Sequence, residues 1–289
     1  MSALLLPLVA AASARCPVVD APVPPPPSPE MRWLMRDGDR VVGTDGDRVL
    51  VWPTRDGAAP QVLFEGEIYP AHAWVMQGDR LINLASGAAL SLRGGAYKAE
   101  ALAPDPEVAD GDVIHRSADL VVWATWDSDH VTAWQDGALK QVPRGKAEDR
   151  PKGAALGPDG GLWLAEEERV IRVGDPGAGF VAAPITAEAL AISPDGASMA
   201  VVAYTGVVNL FTLDDARARW SWPSGGAPAF SPNGRWLALS RYDGADVVEV
   251  STGCLQRVVP SRGATLWLDG STLAWVDAEG RLKLEEAGR

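Results

Sequence analysis

The chain has 289 residues, of which 47% are hydrophobic, and a formal net charge of −12. An acidic surface repels phosphate backbones, so this charge argues against a nucleic-acid partner. The hydrophobic fraction is ample for a core, and closed all-β architectures of this length are commonly one domain.

The first 14 residues have the features of a secretory signal peptide. Residues 3–12 form an apolar run that is far shorter than the ~20 apolar residues needed to span a bilayer. Ala12-Ser13-Ala14 then supplies an A-x-A cleavage pattern. No Lys or Arg precedes the run, which leaves a cytoplasmic location as the alternative. We predict a signal peptide over 1–14, a periplasmic or secreted protein, and no transmembrane segment.

The chain has two cysteines, Cys16 and Cys254. Two cysteines in an exported chain can form a disulfide, and two unrelated thiols are the alternative. Arg15 stands directly before Cys16, where lipid attachment would require a small residue, so we expect no lipid anchor. Residues 15–30 include four consecutive prolines, which favour a stiff polyproline II linker before a folded body at 31–289.

The folded body repeats one pattern, in which an apolar stretch enters a tight turn and a second apolar stretch leaves it. The first turn of each repeat lies near Gly38, Gly78, Ala118, Gly160, Gly196, Gly234 and Gly270. A second turn follows near Gly46, Gly87, Asp129, Glu168, Gly206, Gly244 and Gly280. We attribute the glycines to the positive φ of tight hairpins.

A period near 40 with several short strands per unit is typical of a β-propeller. We therefore predict an all-β, seven-bladed β-propeller with four-stranded antiparallel blades and almost no helix. The predicted blades span 31–66, 67–104, 105–146, 147–184, 185–223, 224–260 and 261–289.

Three apolar segments are predicted third strands, each ending in an aromatic ring that can wedge against a neighbouring blade. They are residues 49–52, 131–134 and 208–211. The last blade ends early and lacks an outer fourth strand. The N-terminal segment around Val18-Val19 is the spare candidate to complete it, and a Cys16–Cys254 bridge would bring that segment close.

Two turn segments, "SPDGASMA" (193–200) and "SPNGRWLA" (231–238), carry a family resemblance, and "GPDGGLWLA" (157–165) is a variant of them. The chain resembles TolB-type and WD-like propeller repeats of bacterial proteins. It departs from the eukaryotic-style WD repeat, because no Gly-His occurs and the single Trp126-Asp127 is out of register. The resemblance implies a rigid binding platform and carries over no catalytic residue.

We searched the sequence for catalytic and cofactor motifs and predict no catalytic residue, no metal site and no cofactor. The three histidines, His72, His115 and His130, lack metal-ligand spacing. No P-loop, nucleophile elbow or dinucleotide fingerprint occurs. The acidic run 166–168 lies at a predicted hairpin tip, where we expect a solvated turn rather than a cation site.

The first strand of each propeller blade lines the central channel. Counting seven residues back from the first turns predicts a polar ring at one channel mouth: Arg32, His72, Asp112, Lys152, Glu188, Gly226 and Arg262. In blades 1–3 the register leaves Glu30, Pro70 and Asp110 as competitors. The mixed charges argue against a bare cation and suit a zwitterionic ligand or a partner's tail. The alternative is solvated loop residues that pair with each other.

From these observations we predict a monomeric, non-catalytic binding or scaffold propeller. It would recognise a protein partner, or a small ligand, through one face and the channel mouth. A metal-dependent propeller hydrolase or lactonase is the alternative from another class, and a purely structural surface component is the third.

Overall fold

A computed structural model of the chain describes most of the folded body and Cys16. The described residues are 16, 31–66, 73–92, 97–98, 108, 111–116, 120–125, 128–135, 137–144, 151–166, 169–180, 186–223, 226–241, 244–261 and 263–288.

The named elements of the described part of the chain are all strands. Blades 1 to 4 contain β1 (Trp33–Asp37), β2 (Arg40–Thr44), β3 (Arg48–Pro53), β4 (Gln61–Glu65), β5 (Trp74–Gln77), β6 (Arg80–Asn83), β7 (Ala89–Ser91), β8 (Tyr97–Lys98), β9 (Asp112–Arg116), β10 (Leu120–Ala124), β11 (His130–Gln135), β12 (Ala138–Pro143), β13 (Gly153–Leu156), β14 (Leu162–Ala165), β15 (Val170–Arg172) and β16 (Asp175–Phe180). Blades 5 to 7 contain β17 (Ala187–Ile192), β18 (Ser198–Ala203), β19 (Val208–Thr212), β20 (Ala218–Trp222), β21 (Pro228–Phe230), β22 (Trp236–Arg241), β23 (Gly244–Glu249), β24 (Leu255–Val259), β25 (Leu266–Trp267), β26 (Thr272–Val276) and β27 (Leu282–Glu286).

These strands form seven antiparallel sheets, each built from strands consecutive in sequence. Six sheets have four strands, and the last, β25-β26-β27, has three. The chain is therefore a seven-bladed β-propeller, which confirms the predicted architecture and the short last blade.

The core is divided among the seven gaps between neighbouring blades. Each gap holds its own cluster of buried apolar side chains among the described residues. Successive clusters around the ring include Trp33 with Leu81, Val75 with Trp123, Val122 with Leu164, Trp163 with Met199, Leu210 with Leu237, Trp236 with Trp275, and Trp52 with Leu282. Because the last cluster joins blade 7 to blade 1, the ring is closed. A single blade leaves both of its apolar faces exposed, so each sheet depends on its two neighbours.

The repeated turn has a defined hydrogen-bond pattern. At the β17–β18 turn, the Ser193 hydroxyl donates to Asp195 Oδ1 (2.5 Å) and accepts from the Ser198 amide (2.9 Å). Gly196 there has φ +71°, a conformation that Cβ disfavours. Ser231 and Asn233 repeat the pattern in blade 6, where the Ser231 hydroxyl donates to Asn233 Oδ1 (2.7 Å).

At two positions of the turn series, close packing rather than a positive φ favours glycine. Gly270 is not in the positive-φ region; a Cβ there would lie 2.7 Å from the Asn233 amide nitrogen of the neighbouring turn. Gly244 likewise lacks positive φ, and its Cβ would lie 2.6 Å from the Val259 carbonyl oxygen. The prediction of positive φ is therefore wrong at these two turns, where the side chain of Asn233 lies close to Gly270 and the backbone of Val259 lies close to Gly244.

The aromatic residues of the third strands wedge against the preceding blade, as predicted. Trp52 is fully buried in the gap between blades 7 and 1, and its Nε1 donates to the Gly280 carbonyl (2.9 Å). Trp134 Nε1 donates to the Met76 carbonyl of blade 2 (3.3 Å), and Phe211 packs against the cluster of blades 4 and 5.

The gap between blades 7 and 1 is closed differently from the others. The Ala264 amide donates to the Met31 carbonyl (2.9 Å), the Gly57 amide to the Leu282 carbonyl (2.8 Å), and the Leu282 amide to the Ala58 carbonyl (2.9 Å). The β3–β4 loop of blade 1 thus lies along the outer edge of β27, where a fourth strand would pair. The predicted candidate for that position, Val18-Val19, lies outside the described residues.

Candidate functional site

A cavity of about 890 Å³ opens at the end of the channel where the first strands begin. We call this end the mouth and the opposite end, which carries the β17–β18 turn, the far face. The described wall consists of the starts of the first strands of blades 1, 6 and 7, most of β9 in blade 3, the β18–β19 turn of blade 5 and the end of β22 in blade 6. The residues are 31–34, 226–229, 263–265, 113–116, 205–206 and 240–241, with Pro223. Its volume lies within the usual range of ligand pockets, about 300–1,000 Å³.

Three arginines from three blades line this cavity: Arg32, Arg116 and Arg241. No Asp or Glu occurs among its described lining residues. Arg32 is exposed, and its guanidinium has no ion-pair partner within the described ranges. The charged side chains of the described lining are thus all cationic, within a chain whose net charge is −12.

Arg116 is held in a fixed position. Its Nη1 donates to the Trp74 carbonyl of blade 2 (2.6 Å), and its guanidinium carbon lies 5.6 Å from the centroid of the Trp33 ring of blade 1. One side chain from blade 3 thus contacts two other blades. Burial lowers the pKa of Arg116 to about 10, so it stays charged at neutral pH.

His115 precedes Arg116 in β9 and is half-buried in the same wall. Burial, which disfavours the charged ring, lowers the pKa of His115 to about 4. A hydrogen bond to the Ala154 backbone opposes this shift, and the nearby charge of Arg116 adds to it. His115 is therefore neutral at pH 7, and the arginines supply the positive charge.

Arg241 is positioned by a carboxylate behind the wall. Its Nη2 lies 3.3 Å from Asp246 Oδ1, and the Asp246 side chain is 3% exposed. Trp222 Nε1 donates to the other carboxylate oxygen (2.9 Å). The Asp246 carboxylate offsets part of the charge of Arg241 while holding the guanidinium at the cavity.

The described members of the predicted polar ring separate into two groups. Arg32 and Gly226 line the cavity, and Asp112 is exposed at the start of β9, next to the lining residue Val113. Lys152 and Glu188 form an ion pair with each other (Nζ–Oε1 2.7 Å) outside the cavity wall. His72 and Arg262 lie outside the described residues.

Counting from the turns missed Arg116 and Arg241, because it selects one residue at the start of each first strand. Arg116 is instead the last residue of β9, and Arg241 is the last residue of the second strand β22. β9 and β10 shift register between Val122 and Trp123, so Ile114 is an extra residue within β9. A bulge re-aims the side chains that follow it. In the sequence, the only feature that points to Arg116 and Arg241 is a cationic residue at the end of an otherwise apolar strand, and this feature is a weak predictor of a site.

The acidic run 166–168 is not a solvated turn at Glu166. Its side chain is 4% exposed; Oε2 accepts from Arg169 Nε (2.7 Å), and Oε1 lies 3.9 Å from Arg144 Nη1. Arg144 itself is 1% exposed and donates to the Ser128 carbonyl (2.8 Å). The expectation is therefore wrong for Glu166, which is an internal ion-pair partner between blades 3 and 4. Residues 167–168 lie outside the described residues.

The two cysteines are joined in the structure. Cys16 and Cys254 form a disulfide with a Cα–Cα distance of 5.2 Å, across a sequence separation of 238 residues. Cys254 is buried, directly before β24. The disulfide thus connects the chain upstream of blade 1 to blade 6.

Neither a metal-ligand cluster nor a membrane-spanning helix occurs in the described part of the chain. Within the described ranges, no three His, Cys, Asp or Glu side chains group as they would around a metal ion. No helix in the same part of the chain has the length and hydropathy of a membrane span.

The sequence matches no family model and no curated protein. Solved structures are similar in fold. The β-propeller domain of Cps50 (Swd1) from Myceliophteria thermophila has a TM-score of 0.60 at 16% identity, with 89% of this chain and 96% of that chain covered. The WD40 β-propeller domain of Doa1 has a TM-score of 0.63 at 13% identity, with 89% and 92% covered. The chain therefore has a WD40-type β-propeller fold.

Proposed function

We propose that this propeller is a non-catalytic binding or scaffold module that recognises a protein or a small ligand through its channel mouth. The observation that carries the proposal is the cavity of about 890 Å³ at the mouth. Five blades contribute to its wall, so the closed ring holds that wall as a preformed surface. Preformed concave sites with a few convergent polar groups are the usual location of ligand binding.

The charge of the cavity favours binding over metal-dependent hydrolysis. Arg32, Arg116 and Arg241 line this cavity, and no Asp or Glu occurs among its described lining residues. Like charges repel, and a divalent cation needs inward oxygen ligands instead. The cationic wall thus supports a binding module rather than a propeller hydrolase or lactonase.

We also propose that the protein is exported and works as a monomer in a periplasm or outside the cell. Two features support export: the apolar run and A-x-A pattern within 1–14, and the Cys16–Cys254 disulfide, a bond that persists in oxidising compartments. The Ser-Pro-Asp/Asn-Gly turns support a TolB-like, bacterial type of repeat. Cell fractionation and sequencing of the mature N-terminus test export; full-length protein in the cytoplasm would contradict it.

A matched pair of substitutions tests binding at the mouth. Ala227 is exposed in the cavity wall, and Ala197 is exposed on the far face. We expect Ala227→Trp to abolish affinity capture of the partner from source-cell extract, and Ala197→Trp to leave capture unchanged. If both variants capture the partner equally and their thermal unfolding is unchanged, the binding site does not lie at the mouth.

A further inference from the structure

The ring is closed between blades 7 and 1 by noncovalent contacts. The described sheet of blade 7, β25-β26-β27, contains only strands that are consecutive in sequence. Blade 1 contacts it through backbone hydrogen bonds, such as that from the Ala264 amide to the Met31 carbonyl (2.9 Å) and that from the Leu282 amide to the Ala58 carbonyl (2.9 Å). An apolar cluster fills the gap behind these bonds. One end of the folded body thus docks on the other.

The Cys16–Cys254 disulfide forms a covalent path across this gap. Cys254 directly precedes β24 of blade 6, and Cys16 lies upstream of blade 1. Met31 and Gly263 pair in a parallel bridge at the gap. These two residues are about 230 residues apart along the main chain, but only about 24 residues separate them through the disulfide. Blade 7 therefore lies between two blades that the disulfide ties to each other.

A shorter covalent path makes the gap easier to close. The entropic cost of bringing two points of a chain together grows with the length of the loop between them. For flexible chains of these two lengths, the shorter path favours closure about 30-fold. A folded ring is stiffer than a flexible chain, so this factor is an upper value. The benefit applies at the gap between blades 7 and 1, where the path is shortened most.

The same gap forms part of the mouth. Residues 31–34 of blade 1 and residues 263–265 of blade 7 both line the cavity of about 890 Å³. The hydrogen bond between Ala264 and Met31 joins these two parts of the wall directly. Opening of the gap would separate them, so the disulfide is linked to the shape of the mouth.

The exposure of the two cysteines defines how the disulfide can be reduced. Cys16 is exposed, whereas Cys254 is 4% exposed. A thiolate of a dithiol reductant attacks the Cys16 sulfur, the S–S bond breaks, and Cys254 leaves as a thiolate that takes up a proton. The second thiolate of the reductant then displaces Cys16, which also takes up a proton. The dithiol is oxidised to a disulfide, and both cysteines become thiols.

We propose that the Cys16–Cys254 disulfide is a redox-sensitive clasp on the ring. Intact, it holds blades 7 and 1 together. Reduction by a dithiol raises the fraction of molecules in which this gap is open, and in that fraction the wall of the mouth is parted. The clasp does not depend on the proposed function; only its consequence for a ligand at the mouth rests on that proposal.

Native-state hydrogen exchange of the oxidised wild type and Cys16→Ser tests the clasp. This variant removes the bond through its exposed member, so the buried Cys254 keeps its packing. We expect the amides of Ala264 and Leu282 to exchange faster in the variant, by a factor between about 3 and 30. The wild type reduced with dithiothreitol should match the variant.

An amide far from the gap is the internal control. The Val173 amide donates to the Leu162 carbonyl within blade 4 (2.9 Å). Its exchange should change less than about twofold, because opening between blades 7 and 1 leaves blade 4 folded.

Cleavage of the connecting segment separates tethering from local packing. A protease site inserted within residues 17–30, once cut, leaves the disulfide in place but breaks the covalent path. We expect the cut protein, checked by mass spectrometry, to exchange at Ala264 and Leu282 as fast as Cys16→Ser. The same protein before cleavage should behave as the wild type.

Three results would overturn the clasp. The first is a change below about threefold at Ala264 and Leu282 in Cys16→Ser. The second is equal acceleration at Val173, because the disulfide would then act on the whole fold. The third is cut protein that exchanges like uncut protein. None of these measurements needs a ligand, whereas the proposed function is decided by capture with Ala227→Trp, so the two fail separately.

Discussion

The two sides of the channel differ in packing and in the arrangement of their charges. At blades 4 and 5, the first strands β13 and β17 pack closely, and a Cβ on Gly153 would lie 2.7 Å from Ala189 Cα. Lys152 and Glu188 neutralise each other there. At blades 1, 3 and 6, the strands leave a cavity that Arg32, Arg116 and Arg241 line.

This difference shows how a pseudosymmetric ring acquires a single site. The packed side sets the spacing of the blades and keeps its charges paired, so it offers little to a ligand. The open side has a cavity that Arg32, Arg116 and Arg241 line. Recognition in such a fold depends on where the repeats depart from each other rather than on what they share.

The largest effect should come from the pH dependence of the open side. His115 has a pKa of about 4 in the folded protein, against an ordinary value of 6.5. As pH falls from 6.5 to 4, the unfolded chain takes up a proton that the folded chain resists. The free energy of unfolding should therefore fall by about 3 kcal/mol at most over that window. Urea denaturation of the wild type and His115→Gln at several pH values measures it.

His115→Gln removes the titrating ring, so this variant should lose less stability than the wild type between pH 6.5 and 4. Carboxylates titrate in both proteins, and the difference between the two curves isolates His115. Parallel curves would mean that His115 is solvated when protonated, which contradicts a desolvated, already cationic wall.

A smaller effect should come from adding one methyl group to the packed side. Gly153→Ala places its Cβ against the backbone of Ala189 rather than a movable side chain. We expect a loss of about 2 kcal/mol, as for other overpacked cores, measured by chemical denaturation. The channel strands of blades 4 and 5 would have to separate.

Ala227→Val is the matched change on the open side. Ala227 is exposed in the cavity wall, so two added methyl groups should change stability by less than about 0.5 kcal/mol. Equal losses in the two variants would show that the two sides are packed alike, and the comparison would fail.

The smallest effect should come from the Lys152–Glu188 pair. Both side chains are more than a third exposed, and exposed ion pairs contribute roughly 0–1 kcal/mol. The double variant Lys152→Met/Glu188→Gln should have a free energy of unfolding within about 1 kcal/mol of the wild type, measured by chemical denaturation. A much larger loss would contradict an ion pair that solvent screens.

The sequence predicted the architecture because its signals are local. Ser193, Asp195 and Gly196 close a turn within a few residues, and the same chemistry recurs in the other blades. The aromatic residues that end the third strands, such as Trp52, are also local signals, and they indicate where neighbouring blades pack together.

The site was only partly predictable because it depends on contacts between distant blades. Arg116 faces the cavity through a bulge in β9 and contacts with Trp33 and Trp74. Glu188 lies at a register shift between Ala187 and Ala189, beside its partner Lys152 from another blade. A fixed count from the turns does not reveal these irregularities, so only Arg32 and Gly226 of the predicted ring's described members line the cavity.

The most direct measurement is a crystal structure of the protein bound to the partner that it captures from extract. We expect the partner to occupy the mouth cavity and to contact its lining residues. A partner bound only on the far face or along the outer edge of a blade, with the cavity filled by water, would contradict the proposed function.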